Sequence, residues 1–435
     1  MGSKWQITTL GNVCSKIGSG ATPRGGIKVY QNEGEISLIR SQNVYNTGFV
    51  REGLPYISLK HAEQLSNVEV MSNDVLLNIT GDSVARCCQV VDDVLPARVN
   101  QHVAIIRPDS ETLDPRFLRY YLVSPGMQSQ MLSWAGSGGT RNALTKGMIE
   151  SFKISVPEDI KEQHAIAHIL GSLDDKIELN RKMNETLEAM ARAVFKSWFV
   201  DFDPVRAKAE GRDTGLPKEI ADLFPDSFQD SELGEIPKGW EIKSLDRIAD
   251  YLNGLACQKY PPEEGKESLP VIKIRELRQG ITANTDRATT AIPGNYIVED
   301  GDVLFSWSGS LLIDIWTQGR GVLNQYLFKV TSADYPKWFY YYWTEHHLTE
   351  FQRVAAYKAT TMGHIKRHHL RDAKVYVAND RIMKLADEQI NPHFELTIQN
   401  ELEAQKLASI RDTLLPKLIS GELRVPEAEK LVEEN

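Results

Sequence analysis

The chain repeats itself, and this repeat constrains its fold more than any other feature of the sequence. The separation between matched phrases falls from 235 residues at the first pair to 221 at the last, as expected if only loop lengths changed between copies. A duplication of this size predicts two similar modules that hold two similar objects at a set distance. The matched phrases are Ile39-Arg40 with Ile274-Arg275, Asp74-Val75-Leu76 with Asp302-Val303-Leu304, Asn100-Gln101-His102 with Asn324-Gln325-Tyr326, and Pro115-Arg116-Phe117 with Pro336-Lys337-Trp338.

The bulk composition is that of a globular protein of several domains. At 435 residues the chain suits two to four domains, and 41% hydrophobic with 25% charged residues excludes a disordered class. No apolar run approaches the ~20 residues of a membrane span, and no signal-peptide core is visible, so we expect a cytoplasmic protein without a membrane partner. The four cysteines lack paired metal-ligand or disulfide spacing, which predicts reduced, partly buried thiols.

The net charge of −9 conceals an uneven distribution. Residues 1–155 carry 15 Lys and Arg against 13 Asp and Glu, and residues 236–378 carry 18 against 16. The remaining stretches, 156–235 and 379–435, carry 17 against 30. The acidic excess therefore lies outside the duplicated modules, and a module near neutrality can still bind a phosphate backbone if its basic groups share one face.

Four segments alternate along the chain. Residues 1–155 show short apolar strands between Gly, Asn and Asp turns, interrupted by a single helical stretch from about Pro115 to Leu132. The same order returns at 236–378, with the helix from about Pro336 to Arg353. Both modules are therefore predicted to be mixed α/β.

Two long amphipathic helices follow the modules. Apolar residues recur every three or four positions from about Ile160 to Phe199 and from about Arg381 to Leu418. A helix of about 38 residues spans roughly 55 Å, so the simplest way to cover both stripes is for the helices to pack on each other, and connectivity favours an antiparallel arrangement. Asn180 and Asn184 interrupt the first stripe; either they are buried and fix the register, or that turn faces solvent or a partner.

The ends of both helices resemble a known family. Three phrases carry the resemblance, in the family's order: 195–205 (FKSWFVDFDPV), 233–240 (LGEIPKGW) and 411–423 (RDTLLPKLISGEL). They are similar to the specificity subunits of type I restriction-modification systems, and the likeness covers the whole chain. There are two departures: the Pro-rich lead-in to the first helix is reduced to Val156-Pro157-Glu158-Asp159, and the first module lacks the Ile-Pro-x-Gly-Trp lead-in of the second.

The resemblance implies an α+β fold in which two pseudo-repeated mixed α/β target-recognition domains are separated by two long antiparallel, coiled-coil-like helices. The corresponding boundaries are 1–155 and 236–378 for the recognition domains, 156–235 for the central helical region and linker, and 379–435 for the C-terminal helical region. Each recognition domain is expected to read one half of a bipartite double-stranded DNA target. The helices are expected to set the spacing and to dock two methyltransferase subunits, with two restriction subunits where restriction is assembled.

The resemblance also implies a subunit that does not catalyse. No cofactor is expected in this chain; S-adenosylmethionine would belong to the partner methyltransferase, which modifies adenine after taking the base out of the stack, and ATP and Mg to the restriction subunit. A metal site is not predicted either, because His164 and His168, one helical turn apart, lack a third ligand. The aromatic run at 338–343 is expected to be buried, because its counterpart at 117–122 lies in a helix with a core face.

Candidate DNA-contacting residues are those that present hydrogen-bond donors and acceptors on loops. Residues shared by the two modules, such as Asn100-Gln101 and Asn324-Gln325, are interpreted as structural or backbone-contacting, because half-sites that differ in sequence need readers that differ. The candidates are Arg24, Arg40, Gln42, Asn43, Arg86, Arg141 and Asn142 in the first module, and Lys259, Arg275, Arg278, Ser308, Thr361, His364 and Lys366 in the second.

Two other classes of function stay open at this point. A self-sufficient DNA methyltransferase would need a Gly-rich cofactor loop and an Asn/Asp-Pro-Pro-aromatic motif. Asn391-Pro392-His393-Phe394 approximates that motif, but no strand with a Gly-rich loop precedes it, and we interpret the match as a coincidence. The second alternative is a scaffold whose modules bind protein instead of DNA.

Overall fold

The computed structural model describes residues 4–136, 142–357 and 363–433. The chain divides into two compact units: an N-terminal unit of Met1–Lys176 with Leu407–Asn435, and a C-terminal unit of Ile177–Lys406. Both unit boundaries fall inside the long helices, because each module is grouped with the helical segments that pack on it. The four-part division of the sequence stays a prediction.

The module of the N-terminal unit contains two four-stranded sheets and a two-stranded ribbon. One sheet is antiparallel throughout, in the order Cys14–Ser19, Val103–Pro108, Val75–Asn78, Cys87–Gln89. The other has a parallel central pair, in the order Tyr56–Ile57, Ile36–Ile39, Ala97–Val99, Glu69–Val70. The ribbon pairs Trp5–Thr9 with Lys153–Pro157, and a small hairpin pairs Val44–Tyr45 with Gly48–Phe49.

The module of the C-terminal unit has the same strands in the same order. Its antiparallel sheet runs Asp250–Asn253, Leu327–Thr331, Val303–Ser306, Ile313–Ile315. Its second sheet runs Arg287–Thr289, Ser268–Ile272, Gly321–Leu323, Ile297–Val298, again with a parallel central pair. The ribbon pairs Glu241–Ser244 with Lys374–Val377, and a hairpin of Phe228–Ser231 with Gly234–Pro237 precedes the module. The predicted duplication is therefore confirmed strand by strand.

Each antiparallel sheet lies between helices and the second sheet of its module. Side chains alternate across a strand, so Val75 and Leu77 pack with the helices while Leu76 packs with the second sheet. Val303 and Phe305 on one side, and Leu304 on the other, repeat this pattern. This double burial explains why both strands are continuous apolar runs.

The helices within the modules differ from the prediction in one respect. The stretch predicted as one helix from Pro115 to Leu132 is two helices, Pro115–Val123 and Pro125–Gly136. Ser124 is extended (φ −61°, ψ 145°) because the ring of a following proline disfavours the helical conformation. In the second module no proline interrupts, and the helix runs unbroken from Lys337 to Tyr357. Further short helices are Leu10–Val13, Leu59–Gln64, Lys146–Ser151, Leu245–Ile248, Ile274–Gln279 and Arg367–Asp372.

The long helices run Ile160–Phe195 and Asp380–Ser420. A π-helical turn, Lys196–Val200, ends the first, and Asp203–Ala209 and Lys218–Ala221 are short helices of the linker; Val425–Glu433 closes the chain. Within the C-terminal unit Asn180 pairs with Glu403 and Asn184 with Thr397. Within the N-terminal unit Asp174 pairs with Arg411, and Glu162 pairs with Arg424, four residues beyond the end of the second long helix. As one number rises the other falls, so the helices are antiparallel within each unit, as predicted.

Asn180 and Asn184 are buried in the helix pair. Asn180 donates to the carbonyl oxygen of Asn400 at 3.3 Å and to Glu403 Oε2 at 2.9 Å. Asn184 donates to the Thr397 carbonyl at 3.0 Å and accepts from Asn400 Nδ2 at 2.8 Å. A shift in register would leave these buried polar groups without partners, at a cost of about 1–3 kcal/mol each. The structure therefore favours the interpretation that they fix the register.

The aromatic run of the second module is buried, as predicted. Trp338 and Phe339 are fully buried and Trp343 is 1% exposed. These rings pack with Phe195 and Phe199 near the end of the first long helix. The phrase that carries the family resemblance is thus part of the core of the C-terminal unit.

One carboxylate joins three elements of the N-terminal unit. Asp174, on the first long helix, accepts hydrogen bonds from Arg119 and Tyr120 of the module, each at 2.6 Å, and from Arg411 of the second long helix at 2.7 Å. Burial alone would raise the pKa of Asp174, but Arg119, Tyr120 and Arg411 together lower it below its ordinary value. The neighbouring Asp175 is exposed and pairs with Arg116 at the surface.

We predict that Asp174→Asn destabilises the chain by about 3 kcal/mol at neutral pH, because two partly buried arginines lose their counter-charge. Since the folded-state pKa of Asp174 is depressed, its contribution is present above the unfolded pKa of ~3.9 and is lost as the pH falls through the folded value. Urea unfolding at a series of pH values should therefore show the wild-type and variant midpoints converging below about pH 4. Asp175→Asn is the control and should cost about 1 kcal/mol or less; equal losses in the two variants would contradict the assignment.

Candidate nucleic-acid interface

The carboxyl ends of the two parallel strands lie side by side in each module. Ile39 pairs with Val99 in the N-terminal module, and Ile272 pairs with Leu323 in the C-terminal module. In open α/β sheets this edge is where ligands usually bind, because loops that leave neighbouring parallel strands converge there.

A buried asparagine fixes the turn that follows the second parallel strand. Asn100 Oδ1 accepts from the backbone N–H of His102 at 3.1 Å, and Asn324 Oδ1 accepts from that of Tyr326 at 3.2 Å. The backbone N–H of each asparagine donates to the end of the first parallel strand, to Ile39 and Ile272 respectively. The interpretation of these shared asparagines as structural is therefore supported.

Two glycines allow a neighbouring loop to approach this turn. A Cβ on Gly20 would lie 2.1 Å from the Val99 carbonyl oxygen, and one on Gly254 would lie 2.3 Å from the Asn324 carbonyl oxygen. The loops continue to Arg24 in one module and to Lys259 in the other. Only glycine fits where two backbones come so close.

A third loop is pinned at the same place in both modules. Gly81 N–H donates to the Asn142 carbonyl at 3.0 Å, and Gly309 N–H donates to the Gly363 carbonyl at 2.8 Å. The next residues, Ala143 and His364, form equivalent bridges with Thr80 and Ser308. In each module these backbone contacts join four loops: those at Gly20, Gly81, Asn100 and Asn142 in the first module, and those at Gly254, Gly309, Asn324 and Gly363 in the second. We call this shared set of contacts the frame. The side chains that the four loops carry differ between the modules.

The frame corrects one of the repeat pairs. Ile39-Arg40 corresponds to Ile272-Lys273 and not to Ile274-Arg275, because Ile39 and Ile272 accept the equivalent hydrogen bonds. The next turn agrees: Arg40 N–H donates to Asn43 Oδ1 at 3.0 Å, and Lys273 N–H donates to Glu276 Oε2 at 3.3 Å. The sequence pairing failed because both segments contain an Ile followed by a cation.

Several candidate residues are engaged within the protein. Asn43 is fully buried and donates to the carbonyls of Val50 and Glu52, while Gln42 is exposed and donates to Gly53. Arg86 is half-buried over the Tyr45 ring at 4.7 Å, and Ser308 is buried. Arg275 is exposed but bound to Glu276 and to the Asn284 carbonyl. These contacts hold loops in place.

Other candidates are exposed to solvent, on loops or, for Arg278, on the short helix Ile274–Gln279. Arg24, Lys259 and Arg278 are exposed and form no ion pair with the described residues. Asn142, His364 and Lys366 are also exposed, and His364 lies edge-on to Trp307 at 6.2 Å. Arg141 and Thr361 lie outside the described residues. The base-reading role of all these residues stays a prediction.

The two modules carry different chemistry around the shared turn. In the N-terminal module, Thr22 donates to Gln101 Oε1, Gln101 Nε2 lies 3.0 Å from His102 Nε2, and His102 Nδ1 lies 2.6 Å from Thr80 Oγ1. Thr22, Gln101, His102 and Thr80 thus form one continuous series of polar contacts beside the turn.

In the C-terminal module Tyr326, which is 40% exposed, stands at the position that His102 occupies in the N-terminal module. Its ring lies 6.2 Å from Trp307, whose Nε1 donates to Asn253 Oδ1 at 2.9 Å. Ser308 was a candidate from the sequence, but its neighbour Trp307 was not. The signal that could have found the pair of Trp307 and Tyr326 is the change from His102 to Tyr326 in an otherwise repeated phrase.

Within residues 4–136, 142–357 and 363–433 no three His, Cys, Asp or Glu side chains are grouped as metal ligands. Over the same ranges no helix combines the length and apolarity that crossing a membrane requires. The four cysteines are free, and burial raises the pKa of Cys14 and Cys88 to about 12, so these thiols stay protonated.

Known proteins share this organisation. Residues 2–189 match the family model described as the type I restriction modification DNA specificity domain. The type I restriction enzyme HindI specificity subunit of Haemophilus influenzae is 26% identical over 97% of this chain and 100% of its own length. The MjaIX specificity subunit of Methanocaldococcus jannaschii is 26% identical over 97% of this chain and 94% of its own.

A solved structure supports the fold independently. The S subunit of a type I restriction-modification system from M. genitalium matches with a TM-score of 0.60 and 15% identity, over 96% of each chain. The class defined by the fold is thus a duplicated α+β protein with two long antiparallel helices. Residues 2–189 match the type I DNA specificity domain, and the resemblance of the whole chain to type I specificity subunits is confirmed.

We predict that Gly20→Ala destabilises the N-terminal unit by about 3 kcal/mol or more, because the added methyl group would overlap a backbone carbonyl that cannot move freely. Gly18→Ala is the matched control two residues earlier: nothing lies within 4 Å of its Cβ, and the change should stay within about 1 kcal/mol of wild type. Urea unfolding followed by circular dichroism measures both. A wild-type midpoint for Gly20→Ala would show that the close approach is not essential.

Proposed function

We propose that this chain is the sequence-specific DNA-recognition subunit of a type I restriction-modification complex, in which each module reads one half of a bipartite target. The observation that carries the proposal is the matched frame: two modules with the same strands and hydrogen bonds carry different side chains on the same loops. Such a pair suits two ligands that share a backbone and differ in their bases. The likeness to specificity subunits over nearly the full chain supports the same conclusion.

The chain is proposed to be non-catalytic and to work through partners. The long helices would dock two methyltransferase subunits, and two restriction subunits where restriction is assembled. Leu179, Met183 and Met190 on the first long helix support docking, because they are large, apolar and exposed, and their spacing places them on one helix face. S-adenosylmethionine would bind to the methyltransferase, and ATP with Mg to the restriction subunit.

The first test is to sequence modified adenines in cells that express the chain with its methyltransferase partner. We expect methylation at one two-part sequence; Arg24→Ala should relax preference in one half of it only, and Lys259→Ala in the other half only. Lys218→Ala, an exposed cation of the linker, is the control and should leave the site unchanged.

Methylation by the purified chain alone, with labelled S-adenosylmethionine, would favour a self-sufficient methyltransferase. Lack of salt-sensitive DNA binding in a gel-shift assay with the partner would favour a protein-binding scaffold.

The second test concerns spacing. If the helices set the gap between half-sites, deleting seven residues, or two turns, from both helices removes about 10 Å of helix. The preferred gap should then shorten by roughly three base pairs, at ~3.4 Å per base pair. Modified-base sequencing of the deletion variant measures the gap directly, and an unchanged gap would refute this role of the helices.

A further inference from the structure

Each module places a cation at the same point of its frame. Arg40 follows Ile39, and Lys273 follows Ile272, at the carboxyl end of the first parallel strand. Beside it, at the end of the second parallel strand, both modules carry the buried asparagine and then a glutamine, Gln101 or Gln325. Cation and glutamine are thus the recurring polar pair at the edge where the loops converge.

The two cations differ in how they are neutralised. The Arg40 guanidinium donates to the Gly53 carbonyl at 2.7 Å and lies 5.6 Å from the Tyr30 ring, but it forms no ion pair with the described residues. Lys273 pairs with Asp286, whose carboxylate is exposed. An exposed pair of this kind is weak and is screened by salt, so a stronger anion can compete with it.

Chemistry that both modules share should bind what both half-sites share. Two halves of a bipartite target differ in their bases, whereas the sugar-phosphate backbone is the same in both. Phosphate contacts fix the register of a protein on the duplex without carrying sequence information, and Arg and Lys are their usual donors. A cation retained at one position of a duplicated frame therefore fits a phosphate, while a reader of bases would differ.

We propose that Arg40 and Lys273 are equivalent phosphate-binding residues that position the two modules on the DNA backbone. This inference rests on the proposed function, which it deepens, and it changes the role of Arg40 from a candidate base reader to a backbone contact.

The test is a DNA-binding measurement over a salt series, using the full chain with its methyltransferase partner on cognate and non-cognate duplexes. Arg40→Gln and Lys273→Gln should each weaken binding to both duplexes by the same factor and reduce the slope of log K against log salt by about 1. Asp286→Asn should act in the opposite sense, tightening binding and steepening the slope, because it frees Lys273.

Matched controls separate this role from folding. Arg40→Lys keeps the charge and should keep the slope. Lys266→Ala removes a cation already paired with Glu263, before the start of the strand Ser268–Ile272, and should leave the slope unchanged. A loss confined to cognate DNA, or an unchanged slope in Arg40→Gln and Lys273→Gln, would overturn the inference. If the wild-type complex itself shows no salt-dependent binding, the proposed function fails first.

Discussion

A buried asparagine side chain in each module is the interaction on which the candidate interface depends. Asn100 and Asn324 each close a turn by accepting a backbone hydrogen bond from the residue two positions later, while their own backbone binds the neighbouring parallel strand. Without that turn, the loops that carry Gly20 and Gly254 would lose the carbonyls against which they rest. Arg24 and Lys259 follow these glycines on the same loops, so their positions depend on this turn.

The duplication explains how one scaffold can serve two specificities. The frame consists of buried backbone hydrogen bonds and glycine contacts, which tolerate little change. The exposed positions of the loops make few internal contacts, so they can vary without loss of stability. The surface chemistry differs between the modules at equivalent backbone positions. One module has a series of polar contacts through His102, and the other has an aromatic pair of Tyr326 with Trp307.

Much of the architecture could be predicted from the sequence because it follows from periodicity. The repeat, the two long helices and the buried aromatic run are long, regular signals, and the structure confirms them. The break at Ser124 was missed, although Pro125 gives a local physical reason for it. The correspondence of Arg40 with Lys273 depends on strand pairing between distant residues, which a comparison of short phrases does not contain. Which loop residues contact DNA depends on their exposure and on their side-chain partners. Neither property produces a periodic pattern in the sequence.

Apolar residues of the segment 414–428 are part of the hydrophobic core of the N-terminal unit. Leu414, Leu418 and Ala428 are buried against the first module and the start of the first long helix. Because synthesis runs from the N-terminus, this apolar surface stays uncovered on the ribosome until residues 414–428 have emerged. A polypeptide that stops before Leu414 would therefore leave this apolar surface of the N-terminal unit exposed to chaperones and proteases.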